Sequence, residues 1–252
     1  MTDPSPAWPP RHWHPTHRVA LVTPSANPAV EHEIRHLLAP EAALHVTRMP
    51  VMPGTTLEQR NAAYIEALDR SLDGFGALPL DAAIYGITGP SYAVPPAEDA
   101  ATQERVSAAL GRPMVLAARG IAESLAALGR PKLLLFSPYP GWLTERAERY
   151  WRAEGLELVD SYKVSETFRA YELTPEEVAD GLAKLRPPAD CAVLLSGTGM
   201  PTLDAMRWMR ERIGVPMLSS NLGCAYAVSA RLGLKAGPAM ADCNPELATK
   251  LR

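Results

Sequence analysis

The sequence predicts an α/β protein built from two similar half-size parallel sheets that face each other across a cleft. Three observations carry this prediction. From Arg18 onward, strand-like apolar runs alternate with amphipathic helical stretches almost without pause. The loops rich in Ser, Thr, Asn and Gly follow the strands, so they gather at the carboxyl ends of the sheets, where open α/β sheets bind ligands. Finally, one short pattern occurs twice: Asp81–Tyr92 reads DAAIYGITGPSY and Cys191–Asp204 reads CAVLLSGTGMPTLD. An eight-fold barrel would also use eight βα units, but this internal echo favours two sheets.

The elements follow in order. VALVTP (Val19–Pro24) reads as a strand and ANPAVEHEIRHLL as the helix after it; LHVTRM (Leu44–Met49) precedes a helical stretch from Thr56 to Leu72. AAIYG (Ala82–Gly86) leads to a helix near Ala97–Leu110, and PMVLAA (Pro113–Ala118) to one over Arg119–Leu128. The rhythm then restarts. KLLLFS (Lys132–Ser137) leads to the helix Gly141–Glu154, and LELVDSY (Leu156–Tyr162) to Pro175–Leu185. AVLLS (Ala192–Ser196) leads to Leu203–Ile213, and VPMLSS (Val215–Ser220) to a last helix over Asn221–Leu232. Apolar strands joined by amphipathic helices imply parallel sheets covered on both faces.

Composition narrows the function. The 252 residues carry a formal net charge of −3 with no basic stripe, so a nucleic-acid surface is not supported. No apolar run is long enough to span a bilayer. The opening MTDPSPAWPPRHWHPTHR has no apolar segment of signal-peptide type and reads as a loose arm over residues 1–17 or a tail that binds a partner. Three cysteines, Cys191, Cys224 and Cys243, show neither metal spacing nor a disulfide framework, which points to a cytoplasmic setting.

The repeated turns are the leading candidates for function. Each apolar run stops at Thr-Gly, Thr88-Gly89 and Thr198-Gly199. Such turns leave backbone N–H groups and a hydroxyl pointing into open space, and two of them face to face make a donor-lined cradle for a small anion. In VTPSANPAVEHE, Ser25 or Asn27 can cap the following helix, and the Asn27 amide can also donate to a carboxylate. Tyr139 in SPYPGW is either a ligand-facing phenol or a partly buried loop tyrosine, and SSN (Ser219–Asn221) is either a cap or an anion contact. Arg119, directly after a strand, is either solvent-exposed or a bidentate carboxylate clamp. His32–His36 matches HExxH, the zinc-hydrolase spacing, but without a convincing third ligand a solvated helix face is the better reading, so no metal is expected.

Taken together, PSAN with E-x-E (Pro24–Glu33), ITGPSY (Ile87–Tyr92), SPY (Ser137–Tyr139), LLSGTGMPTLDAM (Leu194–Met206) and GVPMLSSN (Gly214–Asn221) resemble the aspartate/glutamate racemase superfamily, in its maleate isomerase and arylmalonate decarboxylase branch. The resemblance implies two pseudo-symmetric four-stranded parallel-sheet domains, 18–118 plus 216–252 and 119–215, with a cofactor-free site between them. It also implies a homodimer. Carried over by position, the carboxylate cradle is Asn27, Thr88, Gly89, Tyr139, Thr198, Gly199 and Asn221, with Ser91 and Gly197 in the same two turns. The family's reactive cysteines fall at Ile87 and Gly197 here, so neither turn carries a thiol. Thr88, Tyr139 and Tyr92 become the catalytic candidates, with His32 as a further proton carrier. The expected activity is that of a cofactor-independent lyase or decarboxylase, isomerase or hydrolase acting on a small carboxylate or related carbonyl compound. A carboxylate-binding sensor or partner subunit is the alternative, followed by a zinc hydrolase through HEIRH.

Overall fold

The computed structural model describes residues 14–251; most of the expected N-terminal arm therefore lies outside the described residues. The first half runs β1 (His17–Thr23), α1 (Val30–Leu37), β2 (Ala42–Arg48), α2 (Leu57–Glu66), α3 (Leu68–Ser71), β3 (Ala82–Tyr85), α4 (Pro96–Leu110), β4 (Met114–Leu116) and α5 (Ala117–Leu128). The second runs β5 (Lys132–Ser137), α6 (Gly141–Ala153), β6 (Glu157–Lys163), α7 (Pro175–Leu182), β7 (Cys191–Leu195), α8 (Leu203–Ile213), β8 (Met217–Ser219) and α9 (Ser220–Leu232), followed by α10 (Pro238–Cys243) and α11 (Pro245–Ala248).

The strands form two four-stranded sheets of order β2-β1-β3-β4 and β6-β5-β7-β8, and every pairing is parallel. Each sheet places its first strand beside both its second and its third. The order of strand addition therefore reverses at β1/β3 and at β5/β7, the position where open α/β sheets leave a crevice. The repeated turns follow β3 and β7, so topology alone brings both to these crevices. All of β7 and residues 19–23 of β1 are buried, as a strand covered on both faces requires.

The halves are joined by their terminal helices. α5 packs along α9, and α9 also packs on α1, β3 and β4 of the first half. Glycines permit the approach: a Cβ on Gly120 would lie 2.8 Å from the Gly223 carbonyl oxygen, and one on Gly223 would lie 2.9 Å from the Ile121 nitrogen. Gly120→Ala is accordingly expected to lower stability by about 1–3 kcal/mol, the usual cost of overpacking. Urea unfolding checks this as a lower midpoint at unchanged slope.

Several boundaries differ from the sequence reading. The expected helix over Thr56–Leu72 is divided into α2, α3 and a 3₁₀ turn over Leu72–Phe75. α2 is opened by a capping box in which Thr56 Oγ accepts from the Gln59 N–H and the Gln59 side chain accepts from the Thr56 N–H. α1 starts at Val30 rather than near Ala26, because Asn27 Oδ1 accepts from the N–H groups of Ala29 and Val30 at 3.0 and 3.1 Å. β4 stops at Leu116, which makes Arg119 part of α5 instead of a strand-end loop. No helix among the described residues is long and apolar enough to cross a membrane.

Candidate active site between the two sheets

The two repeated turns meet. Thr198 Oγ1 donates to the Gly86 carbonyl at 2.8 Å and accepts from Asn27 Nδ2 at 3.0 Å, tying the second turn to the first turn and to the loop after β1. Tyr92 Oη and Ser196 Oγ share a further bond of 2.8 Å between the halves. Beside this seam opens a cavity of about 300 Å³, at the small end of the range for small-molecule sites. Thr88, Gly89, Tyr139, Gly197, Thr198 and Gly199 line it.

The cradle has unused donors. Thr88 Oγ1 is buried and makes no hydrogen bond. The N–H groups of Thr88, Thr198 and Gly199 find no backbone acceptor among the described residues. Buried donors of this kind are normally paired, so a cluster of them around a cavity has the chemistry to receive an anion. Gly197 has φ +90°, a left-handed conformation that suits glycine, and its N–H is held by Ser220 Oγ at 2.9 Å. A Cβ there would meet Tyr139 Oη at 3.0 Å and Pro138 Cγ at 3.1 Å. The phenol of Tyr139 thus stands where a side chain at 197 would otherwise reach.

Tyr139 is held firmly. Its ring stacks on Phe168 at an interplanar angle of 9° and meets Tyr92 edge-on. Burial, reinforced by the neighbouring Tyr92 and Tyr171 phenols, pushes its pKa well above the ordinary tyrosine value. Tyr92 is raised by burial as well, against the bond from Ser196. Both are therefore neutral donors near neutrality and neither is a base.

The remaining expected residues lie outside the cavity wall. Tyr92 and Ser91 sit behind the first turn, both buried, in the 3₁₀ segment Gly89–Ala93. Asn27 supports Thr198 from behind. Asn221 donates to the Thr198 carbonyl at 3.1 Å and to Glu33 at 2.7 Å, so it positions the second turn. Arg119 points elsewhere and pairs with Glu154 at 2.7 Å. Burial opposes its charge, but Glu154 and the Tyr150 phenol more than compensate, so its pKa is raised.

The HExxH stretch does other work. Glu33 is buried and accepts from the Thr202 N–H, from Thr202 Oγ1 at 2.8 Å, from the Leu203 N–H at 3.1 Å and from Asn221. It caps α8 from across the cleft. Burial raises its pKa against the pull of these donors. His36 Nδ1 instead lies 2.8 Å from its own helix's His32 carbonyl. Among the described residues no group of three side chains suited to a metal ion occurs.

The cysteines are likewise remote. Cys191 begins β7, at the opposite end of the strand from the turn, while Cys224 lies within α9 and Cys243 ends α10. None lines the cavity, and burial raises their pKa values to about 11, 12 and 12 respectively. The sequence reading missed part of the wall: Arg60, Asn61 and Tyr64 from α2, and Phe168 and Tyr171 from the loop after β6. The first three fall at positions i, i+1 and i+4 of a single helix, which places them on one face. That spacing was visible in the sequence.

Paired parallel sheets flanking a donor-lined cleft define a two-lobed α/β protein whose candidate site lies at the twin strand-end turns. The comparisons with known proteins agree. Residues 51–242 match the family model of arylmalonate decarboxylase, and the chain belongs to that family. It is 27% identical over 241 residues to the maleate isomerase of Alcaligenes faecalis, covering 87% of this chain and 92% of that protein. The crystal structure of the maleate isomerase Iso from Pseudomonas putida S16 superposes with a TM-score of 0.82 at 22% identity, over 92% of this chain and 98% of the other. A Nocardia farcinica maleate cis-trans isomerase, solved as a mutant with a covalently bound succinylcysteine intermediate, gives 0.80 at 24% identity, over 92% and 98%. These likenesses establish the fold, and the family establishes the protein as an enzyme.

Proposed function

We propose that the protein is a cofactor-independent decarboxylase of a small, activated dicarboxylic acid of malonate type. The observation that carries this reading is the inventory of the cleft. It offers unpaired donors, a cation and neutral phenols, but no thiol, imidazole or carboxylate among the described residues. Proton abstraction from carbon needs a base, and addition to a double bond needs a nucleophile. Loss of CO2 needs neither. The relative from Nocardia carries a covalent succinylcysteine, and this cleft has no side chain able to form one.

In the proposed reaction one carboxylate rests on Thr88 Oγ1 and the N–H groups of Thr88, Thr198 and Gly199. The bond from the α-carbon to the second carboxylate breaks and CO2 departs. The electron pair moves into the held carboxylate as an enediolate, whose added negative charge the preorganised donors stabilise. Tyr139 Oη then gives its proton to the α-carbon, and the phenolate regains one from water. The Leu143, Met52 and Phe168 walls leave the departing carboxylate poorly solvated, which favours its conversion to neutral CO2.

Incubation with substituted malonates in deuterated water, followed by proton NMR, tests the reading. Release of CO2 with one deuterium placed at the α-carbon is the expected result. Activity is also expected to survive iodoacetamide at neutral pH, because every thiol is buried and its pKa raised. Inactivation by alkylation, or turnover of maleate in place of malonates, would overturn it. Tight binding of the panel without turnover would favour the carboxylate-binding protein instead.

A further inference from the structure

One charged side chain lines the same cavity and is not needed by the cradle. Arg60 projects from α2 into the wall, half-buried, and forms no ion pair with any described residue. The acidic side chain two residues before it, Glu58, is already engaged by Arg146 at 2.6 Å. No Asp or Glu lines the cavity, so the guanidinium has no counter-charge there. Its charge is felt by two neutral phenols, those of Tyr64 and Tyr171, whose burial-raised pKa values it pulls back toward normal.

Asn61, the next residue, supplies an independent sign of a ligand. It is only 7% exposed, and its amide makes no hydrogen bond to any described residue. The amide lies against the first turn, since a Cβ on Gly89 would meet its nitrogen at 3.0 Å and its oxygen at 3.1 Å. α2 therefore presents an unpaired cation and an unpaired amide side by side to one cavity. Arginine in such a setting takes planar anions in bidentate fashion, and a half-desolvated guanidinium without a partner favours one strongly.

We infer that Arg60, assisted by Asn61, is the specificity determinant for a further anionic group, so that the natural substrate carries a carboxylate beyond the two of its malonate unit. The inference rests on the cradle reading above. It also concerns a group that stays on the substrate: an arginine paired to the departing carboxylate would stabilise the ground state and slow the loss of CO2. The substrate class is thus a malonate-type acid whose side chain ends in a further carboxylate, with Leu57, Leu143 and Phe168 flanking its apolar part.

Unreactive pairs of equal chain length separate the two contacts. Calorimetry would compare succinate, glutarate and adipate with butyrate, valerate and hexanoate on the full chain. At least one diacid is expected to bind about tenfold or more tighter than its monoacid, the worth of one charge-assisted contact. Arg60→Gln is expected to erase that preference while leaving monoacid affinity unchanged, and Arg60→Lys to retain part of it. Circular dichroism of each variant confirms that the fold is intact. Thr88→Val should weaken both members of every pair. A diacid preference that persists in Arg60→Gln, or equal weakening of both acids, overturns the inference. Monoacids that bind through Thr88 with no diacid preference would sink it alone, whereas acids that bind without any dependence on Thr88 would sink the cradle reading with it.

Discussion

Replacing Tyr139 by phenylalanine is expected to lower kcat by about 10²–10⁴, the usual contribution of a positioned general acid. KM and the thermal midpoint should change little. The ring is fixed by Phe168 and Tyr92, and by the turn between Pro138 and Pro140, none of which needs the hydroxyl. The variant therefore removes one O–H group and leaves its support. The pH profile supplies a second, independent reading. The active form of Tyr139 is the protonated one, and burial holds its pKa well above 10.0. Its acid form is thus fully present at neutral pH and is lost only as pH rises through that raised value. The wild-type rate should show no alkaline limb from this group below pH 10, whereas a thiol acid of ordinary pKa would begin to fail near about 8.5. A Tyr139→Phe variant with activity within about threefold of wild type would remove Tyr139 from the chemistry.

The architecture was largely legible because its signals are strong and local. Val19–Val22 and Cys191–Leu195 are continuous apolar runs, and only strands buried on both faces read that way. The duplication of Thr-Gly after β3 and β7 then fixed which ends of the sheets meet. What escaped was short-range: where the chain leaves a strand for a helix. Leu116 and Ala117 are equally apolar, so nothing in the pattern marks the change that places Arg119 on α5 and turns it toward Glu154. The tail was also missed. α10 and α11 have few residues and are stabilised by contact with α1, α5 and α8, which no local propensity records.

The site was legible where backbone geometry makes it and obscure where side chains cross between halves. Thr88, Gly89, Gly197, Thr198 and Gly199 reach the cavity because a Gly-containing turn after a buried strand has nowhere else to point. Asn27 and Asn221 have the right chemistry at the right element ends, yet both are drawn behind the second turn by Thr198 and Glu33. Arg60 and Asn61 went unread for the opposite reason. They sit on an otherwise ordinary helix, and a polar helix face looks solvated until the opposing half covers it. Pairing across 169 or more residues, as between Glu33 and Thr202, has no periodic signature at all.

That pairing makes Glu33 the residue outside the cavity whose loss should be felt most. Glu33→Ala is expected to destabilise the protein by about 3–5 kcal/mol, the cost of breaking a buried, charge-bearing network from one side. Four donors lose their acceptor together: the Thr202 N–H, Thr202 Oγ1, the Leu203 N–H and the Asn221 amide. Two of these open α8, so the helix also loses a negative charge at its N-terminus. The effect should reach catalysis by a definite path. Asn221 holds the Thr198 carbonyl with the same amide that it gives to Glu33, and Thr198 carries the bond to Gly86 that closes the cleft. Glu33→Gln keeps the size and one acceptor oxygen but turns an NH2 group on a ring of donors. It should fold at reduced stability, with kcat lowered more than the affinity for a simple carboxylate. Urea unfolding and steady-state kinetics on both variants measure the two consequences separately. An alanine variant within about 1 kcal/mol of wild type, by the same unfolding measurement, would show that water replaces the carboxylate at little cost.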